Sequence, residues 1–471
     1  MAEAAVLPRD SSRVGLTMDA DPPGRHGPGG EAARAEQLGY GLAMGSLTIR
    51  RRPDQEGPAL GGGMDHALCE RWPIQGGDAM AGEVVTVYAG EKPPEYWDAA
   101  VFMAGPTQRP RTSDATSWLA EAVALLCEQW ASRGRLVVFV PEPRTDSYHH
   151  FTSKIVDWMN CGLQLADVVM FWWPEDIGTQ LAFMNMTWGA RNDSQRVVMG
   201  TSLNMPEFGR LLDYADSHAI STATTLVGAV RTVLDKIGEG SRRSGAECGI
   251  PLPIWRTQSF QRWYAAQTTA GNTMLGARPA WTFGVGPDNR LLLYWALRVS
   301  MRIAAEDRVK SNEVVISRPD ISVMALYQRG ATLDDTIVVL IREFRSPAST
   351  PDGFVHELPG GSGPASGGAL DQAASETEEE TGLVIDINRV RIHGSRQLAG
   401  TLSAHHAHLF AVEITDDELV HLRTIRSRPH GVGDTERTWI EITTFGEIRR
   451  ERLVDWATLG MIAEVLLATT S

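Results

Sequence analysis

The chain has 471 residues, 43% of them hydrophobic, and its 58 acidic residues outnumber its 44 lysines and arginines, giving a formal net charge of −14. This length exceeds what one hydrophobic core usually organises, so we expect two or three domains. The acidic balance disfavours nucleic acid as a partner, because phosphate contacts need a basic surface. The four scattered cysteines contain no Cys-x-x-Cys pair, which argues against a zinc site and a disulfide scaffold.

The N-terminal part of the chain differs in composition from the rest. Residues 1–82 are rich in Gly, Pro, Ala, Arg and Asp and show almost no periodic apolar pattern. This composition predicts a disordered segment. The start of the chain lacks the charged-then-apolar pattern of a signal peptide, and no run of about 18 apolar residues occurs. We therefore expect a cytoplasmic protein with no membrane partner.

Residues 84–238 alternate between strand-like apolar runs and helical patterns. The predicted elements are, in order, strand Ala100–Ala104, helix Ser117–Trp130, strand Leu136–Val140, helix Phe151–Leu165 and strand Val168–Trp172. Such alternation predicts an α/β domain with a doubly wound parallel sheet. The polar, breaker-rich residues 239–253 then predict a linker.

Residues 254–471 are expected to form a second α/β domain with an N-terminal extension. Its predicted strands are Leu291–Val299, Ile321–Tyr327, Ile337–Phe344, Arg389–Gln397, His406–Val412 and Thr438–Thr443, followed by a closing helix at Trp456–Ala468. Two histidines of one strand, His406 and His408, share a face by alternation, and His405 precedes them. Without an acidic or cysteine partner nearby in sequence, we interpret all three as ordinary strand histidines rather than metal ligands.

The most specific motif of the second domain is Glu-Leu-Pro-Gly-Gly at 357–361, followed by a Gly/Ser loop and an acidic helix that should begin near Ala369. On this helix Glu376, Glu379 and Glu380 are spaced i, i+3 and i+4, so their carboxylates share one face. Like charges on one face favour a cation, and hard oxygen ligands suit Mg²⁺ or Mn²⁺. The alternative is a solvated acidic helix.

These residues resemble the Nudix box, and the resemblance to the Nudix hydrolase family extends over about 281–465. It implies an α/β/α sandwich with Gly361 as the first box glycine, with Glu376, Glu379 and Glu380 as metal ligands, and with Gly382-Leu383 at the end. Two positions depart from the family pattern. Gly367 stands where the family has its first Glu and Ser375 where it has Arg, so the ionic brace between loop and helix is missing.

The surroundings of the box are similar to the ADP-sugar pyrophosphatase branch of that family. The similarity implies that Arg345, or as second choice Arg342, contacts the phosphates of the substrate, which suits the planar guanidinium fork. It also implies that the carbonyl of Gly360 ligates metal, with Glu357 beside it in the substrate site. Glu436, in a late Gly-rich loop, is the candidate base; the alternative is a surface glutamate paired with Arg437.

Three motifs of the first domain, at 101–107, 138–144 and 166–172, resemble the nucleoside 2-deoxyribosyltransferase family. The resemblance implies a nucleoside pocket at the carboxyl ends of the strands, with Gly105 exposing backbone amides and Asp167 bonding a ligand. The alternative for Asp167 is a turn cap. Thr187 occupies the position of the family's nucleophilic Glu, and a hydroxyl without an adjacent base is a poor nucleophile. We therefore expect binding without cleavage there.

Together these patterns predict a metal-dependent hydrolase that cuts the phosphoanhydride of a nucleoside diphosphate linked to another moiety. The expected partners are a small nucleotide or nucleoside substrate and, as a possibility that the sequence leaves open, a second copy in a homodimer. Two rival functions stay open: an N-glycoside hydrolase or deoxyribosyltransferase acting on nucleosides, and a nonenzymatic nucleotide sensor.

Overall fold

The structure is a computed structural model that describes residues 82–105, 117–130, 134–144, 153–174, 194–203, 208–286, 291–362, 368–431 and 437–468. Apart from residue 82, the segment predicted to be disordered lies outside these ranges. Within them, no helix is both long enough and apolar enough to cross a membrane.

The first half of the described chain alternates strands and helices. Its strands are β1 (Val84–Tyr88), β2 (Tyr96–Trp97), β3 (Ala99–Ala104), β4 (Leu136–Val140), β5 (Val168–Trp173), β6 (Val197–Thr201), β7 (Ser221–Ala223) and β8 (Arg243–Ser244). Its helices are α1 (Trp118–Gln129), α2 (Ser153–Leu165), α3 (Phe208–Ser217), α4 (Leu226–Ile237), α5 (Leu252–Trp255) and α6 (Gln258–Thr269).

Six of these strands form a parallel sheet in the order β1-β4-β3-β5-β6-β7. Alternate residues of β3 enter different cores: Val101 and Met103 pack with α1 and α4, whereas Phe102 and Ala104 lie in the core that includes α2 and α3. Because both faces are covered, the central strands are apolar along their whole length. The predicted parallel sheet with helices on both faces is confirmed.

The second half of the described chain is richer in antiparallel strands. Its strands are β9 (Thr273–Val285), β10 (Leu291–Ile303), β11 (Arg308–Ser317), β12 (Ile321–Gln328), β13 (Ile337–Phe344), β14 (Phe354–Glu357), β15 (Gly360–Gly361), β16 (Arg391–Gln397), β17 (His406–Glu413) and β18 (Thr438–Thr444). Its helices are α7 (Ala369–Thr381), α8 (Asp416–Ile425), α9 (Phe445–Glu451) and α10 (Trp456–Ala468).

Strands β9, β10 and β11 make an antiparallel sheet in the order β11-β10-β9. The other seven strands form a mixed sheet in which β12 and β17 run parallel and the remaining pairs run antiparallel. Residues of β12 again alternate, since Val323 and Ala325 pack toward α9 and α10, whereas Met324 and Leu326 pack toward α7 and α8. The mixed sheet is therefore the middle layer between two helical layers.

The segment predicted to be a polar linker differs from that expectation. Arg243 is 0% exposed, and β8 pairs with β2 beside the parallel sheet. A short 3-10 helix, Gly245–Gly249, then leads into α5, where Ile250 and Ile254 are buried in a core shared with β9 and β10. Residues 239–253 are thus packed structure, and their polar composition reflects a buried ion pair as well as solvent contact.

Candidate active site

The motif Glu-Leu-Pro-Gly-Gly forms a short bridge onto the mixed sheet. Gly360 pairs with Val323 and Gly361 with Ser322 of β12, and the Pro359 carbonyl accepts a hydrogen bond of 2.8 Å from the Met324 N–H. A β-carbon on Gly360 would collide with the Ser322 carbonyl oxygen. Only glycine permits this close approach of the two backbones, which fixes the bridge beside helix α7.

Helix α7 begins at Ala369, as predicted, and its apolar face packs onto the sheet through Ala373 and Thr377, both 0% exposed. Two turns beyond Ala373, the same packing draws Glu380 into the protein, where it is 8% exposed. Glu376 and Glu379 are half-buried. Helical spacing thus brings the three predicted glutamates to one face, with Glu380 the deepest of them.

Two of these carboxylates lie against the two glycines of the bridge. Glu380 Oε2 accepts a hydrogen bond of 2.8 Å from the Gly360 N–H. A β-carbon on Gly361 would collide with the carboxylate of Glu376, so that carboxylate rests directly on the glycine. Burial, helped by the negative charges of Glu376 and Glu343, raises the pKa of the Glu380 carboxyl to about 9.

Strand β13 contributes a second charged group on the same face of the sheet. Arg345 Nη2 lies 2.9 Å from Glu343 and 3.0 Å from Glu357. Burial would lower the pKa of the Arg345 guanidinium, but the carboxylates of Glu357 and Glu343 raise it above its usual value. Arg345 thus lies beside Glu357 of the motif with its side chain 42% exposed, and its contact with phosphate stays a prediction.

Glu343 is a charged residue of this site that the sequence interpretation missed. It is 8% exposed, and its charge acts on both Glu380 and Arg345. The signal that could have identified it is the alternation of strand residues, because Glu343 precedes Arg345 by two positions and so shares its face.

Arg342, the second choice for the phosphate contact, lies elsewhere. Strand alternation turns it to the opposite face of β13, where it pairs with Asp352 at 2.7 Å and stacks 3.9 Å from the centroid of the Phe354 ring. The structure therefore corrects this assignment, and Arg345 remains as the arginine beside the glutamates.

The donor chemistry fits a hard divalent cation, because carboxylate oxygens and a nearby backbone carbonyl are the ligands that Mg²⁺ prefers. Within the described ranges, however, no three His, Cys, Asp or Glu side chains are arranged so that they could hold a metal ion. Glu380 is instead held by the Gly360 N–H.

Two other predicted features of this region, Glu436 and Gly367, lie outside the described residues. Ser375 is exposed on α7. The chain before the Glu436 loop does reach the helix, since the Gly431 N–H donates to the Glu379 carbonyl at 3.3 Å and Thr438 Oγ1 donates to the Glu380 carbonyl.

In the parallel sheet, Gly105 follows β3 and has a φ of +153°. A β-carbon there would collide with the Trp172 carbonyl oxygen, so strand packing alone requires a glycine at this position. Most of the loops that continue from this edge, including the one with Thr187, lie outside the described residues.

Asp167 is not at this edge, because it precedes β5 and so lies at the amino end of the parallel strands. Its oxygens bind both terminal nitrogens of Arg243, at 2.7 and 2.6 Å, and accept the N–H groups of Ala100 and Leu252 at 2.8 Å each. The predicted ligand contact is therefore wrong, since buried protein groups occupy this carboxylate.

The motif at 138–144 also contains two charged residues, Glu142 and Arg144. Arg144 pairs with Glu91 at 2.7 Å and is exposed, whereas Glu142 is half-buried, and burial raises the pKa of its carboxyl.

No protein-family model matches this chain, and no curated protein matches it.

Proposed function

We propose that this protein is a divalent-metal-dependent hydrolase of the Nudix type, which cuts the phosphoanhydride of a nucleoside diphosphate linked to another moiety. The observation that carries the proposal is the position of Glu376 and Glu380, whose carboxylates lie against the adjacent glycines of the Gly360–Gly361 bridge. A helix that merely displayed charge to solvent would not bury Glu380 to 8% exposure. A buried carboxyl with a raised pKa that lies near an arginine is typical of a functional site.

In this proposal Glu376, Glu379, Glu380 and the Gly360 carbonyl would hold Mg²⁺ or Mn²⁺. When bound, such an ion supplies positive charge to the phosphate oxygens and makes water more acidic. Arg345 binds a phosphate through its planar fork, and Glu343 and Glu357 hold that fork in place before substrate arrives.

The chemistry of the proposed reaction is a displacement at phosphorus. Water forms a new P–O bond, the bond from phosphorus to the bridging oxygen breaks, and the bridging oxygen leaves with the departing phosphate. A carboxylate must take the proton of the water. Glu436 is the candidate from the sequence.

The test is a screen of the intact protein with Mg²⁺ or Mn²⁺ against nucleoside diphosphate sugars, dinucleotides and free nucleosides, with products identified by mass spectrometry. For any substrate found, Glu379→Gln should lower kcat by at least about a hundredfold, because the metal contributes several kcal/mol of charge stabilisation. Glu378→Gln makes the same chemical change on the exposed side of α7 and should leave kcat unchanged.

Undiminished turnover in chelator, or in the Glu379→Gln variant, would overturn the proposal. A nucleotide sensor predicts something different, namely metal-dependent binding in calorimetry without any product. Release of free base from a nucleoside would instead favour the N-glycoside reaction. Asp167 would then not be its nucleophile, since Arg243 and two backbone N–H groups bind its carboxylate.

A further inference from the structure

The residues on either side of the Gly360–Gly361 bridge carry opposite charge. Glu376 and Glu380 lie on the side of α7. Immediately after the bridge, Ser362 Oγ accepts a hydrogen bond of 2.6 Å from Nη2 of Arg318. A guanidinium is thus fixed two residues from the glycine that Glu380 contacts, and it lies at the end of the bridge opposite the predicted phosphate-binding Arg345.

The guanidinium of Arg318 has a hydrogen-bond donor that lacks an acceptor. Its Nε is buried and has no hydrogen-bond acceptor, and its guanidinium carbon lies 5.5 Å from the centroid of the Tyr294 ring. Across the part of the chain that the structure describes, no carboxylate lies within ion-pair distance of it. A buried donor without an acceptor is unfavourable, and an oxyanion that accepts from it relieves the cost.

The carboxylate nearest to Arg318 along the chain is that of Asp320, and it already pairs with other groups. Arg262 Nη2 lies 2.5 Å from Asp320 Oδ2, and the His406 N–H donates to Oδ1 at 2.9 Å. His408 Nε2 also approaches Oδ2, at 3.4 Å. Asp320 therefore neutralises Arg262, and the charge of Arg318 stays uncompensated.

The positive charge of Arg318 acts on a neighbouring histidine. Burial and then the charge of Arg318 lower the pKa of His405, whose Nδ1 is 2.6 Å from Ser403 Oγ. Arg262 Nη1 and His406 Nδ1 are, like Arg318 Nε, buried without a hydrogen-bond partner. These nitrogens belong to α6, to the segment between β11 and β12 and to the start of β17, and Arg262 among them is paired through Nη2 with Asp320.

We propose that Arg318 binds a second oxyanion of the substrate, a carboxylate or a phosphate monoester separate from the diphosphate. The proposal rests on the proposed function, because it takes the Gly360–Gly361 bridge as the place where the diphosphate lies. An acidic group is repelled by the glutamates of α7 and attracted to Arg318, so it orients the substrate along the bridge. The fork of Arg318 can bond two of its oxygens while Ser362 steadies the guanidinium. The preferred substrates are then nucleoside diphosphates with an acidic partner group.

The test uses two pairs of compounds that differ by one acidic group: UDP-glucose with UDP-glucuronate for the carboxylate, and dephospho-coenzyme A with coenzyme A for the phosphate. Binding to the intact protein is measured by calorimetry, and hydrolysis by product formation with Mg²⁺. The acidic member of at least one pair should bind more tightly. Arg318→Gln should weaken that member roughly ten- to a hundredfold, because charge-assisted hydrogen bonds are lost, and change the neutral member less than about twofold.

Arg342→Gln is the matched control, since Arg342 lies on the opposite face of the mixed sheet and pairs with Asp352. It should leave the preference intact. An equal loss for both members of each pair in Arg318→Gln, or no preference in the unaltered protein, overturns the inference; so does a failure of all four compounds to bind.

The two proposals fail separately. Tight binding of the acidic compound that Arg318→Gln removes, without any product, overturns the hydrolase and keeps the oxyanion site. Hydrolysis of both members at the same kcat/KM keeps the hydrolase and overturns the oxyanion site.

Discussion

Two buried carboxylates of this protein, Asp167 and Glu380, have opposite electrostatic environments. Asp167 is 2% exposed and binds both terminal nitrogens of Arg243 and two backbone N–H groups. Glu380 is 8% exposed and accepts one backbone N–H, and burial with the negative charges of Glu376 and Glu343 outweighs the positive charge of the partly exposed Arg345. A buried carboxylate that is paired with a buried cation has a structural role. A buried carboxylate without such a cation is typical of a binding or catalytic site.

The largest effect should come from breaking the compensated pair. Arg243→Met leaves Asp167 buried without a counter-charge, so the free energy of unfolding should fall by about 3–5 kcal/mol. Arg242→Gln is the matched control, because Arg242 is 49% exposed. Its loss should cost less than about 1 kcal/mol. Denaturant titration of the intact protein measures both, and a cost below that of the control would contradict the structural role.

Replacing Glu380 should raise the free energy of unfolding at neutral and alkaline pH, whereas replacing Arg243 lowers it. The pKa of Glu380 is raised from 4.5 to about 9 in the folded protein, so its contribution to stability is present below pH 4.5 and is lost as the pH rises toward 9. Glu380→Gln removes this loss and keeps an oxygen for the Gly360 N–H. In chelator the variant should therefore melt at a higher temperature than the unaltered protein, by a margin that grows between pH 5 and pH 9.

Glu378→Gln, on the exposed side of the same helix, should show no such pH-dependent gain. With added Mg²⁺ the unaltered protein should melt at a higher temperature than Glu380→Gln, because a bound cation stabilises the ionised carboxylate and not the amide. If Glu380→Gln melts at a lower temperature than the unaltered protein at pH 8 in the presence of a chelator, the ionised Glu380 carboxylate does not destabilise the fold and the prediction is wrong.

The arginine beside Glu380 offers a smaller effect. Arg345→Lys keeps the positive charge between Glu343 and Glu357 but loses the planar fork, so kcat/KM should fall roughly tenfold with the fold unchanged. Arg342→Lys, on the other face of β13, should have no effect on kcat/KM. Equal losses in the two variants would show that the loss does not come from a phosphate contact made by Arg345.

The smallest effect should come from restoring the Glu and Arg of the family pattern at Gly367 and Ser375. The double variant Gly367→Glu with Ser375→Arg should tighten Mg²⁺ binding a few-fold, and each single change should help less, because the two side chains act as a pair. Ser375 is exposed on α7, so an arginine there meets no packed neighbour. Calorimetric Mg²⁺ titration measures the gain, and strictly additive single effects would refute the coupling.

Local patterns predicted the elements that carry the glutamates. The start of α7 at Ala369 and the bounds of β13 at Ile337 and Phe344 follow the sequence expectation, because a helix face and an apolar run are visible within one window. Strands β9 and β11, which pair with the neighbouring strand β10, were missed because their alternation between buried and exposed residues is irregular.

The sequence also does not show which residues pair with the buried charges, because these partners are distant along the chain. Arg243 and Asp167 are 76 positions apart, and a composition rich in Gly, Ser and Arg is as common in an exposed linker as around one buried arginine. Arg342 and Arg345 were not separated because strand alternation was not applied to the end of β13. Whether Glu436 completes the site stays a prediction.

The place of Arg243 limits where the chain can be cut. A fragment that stops at residue 238, where composition would suggest a boundary, keeps Asp167 but removes its guanidinium and also the Leu252 N–H. Such a fragment should expose or misfold the amino edge of the parallel sheet, and a negative ligand-binding result from it would carry no meaning. A shortened protein meant to isolate the parallel sheet should extend at least through α5, which ends at Trp255.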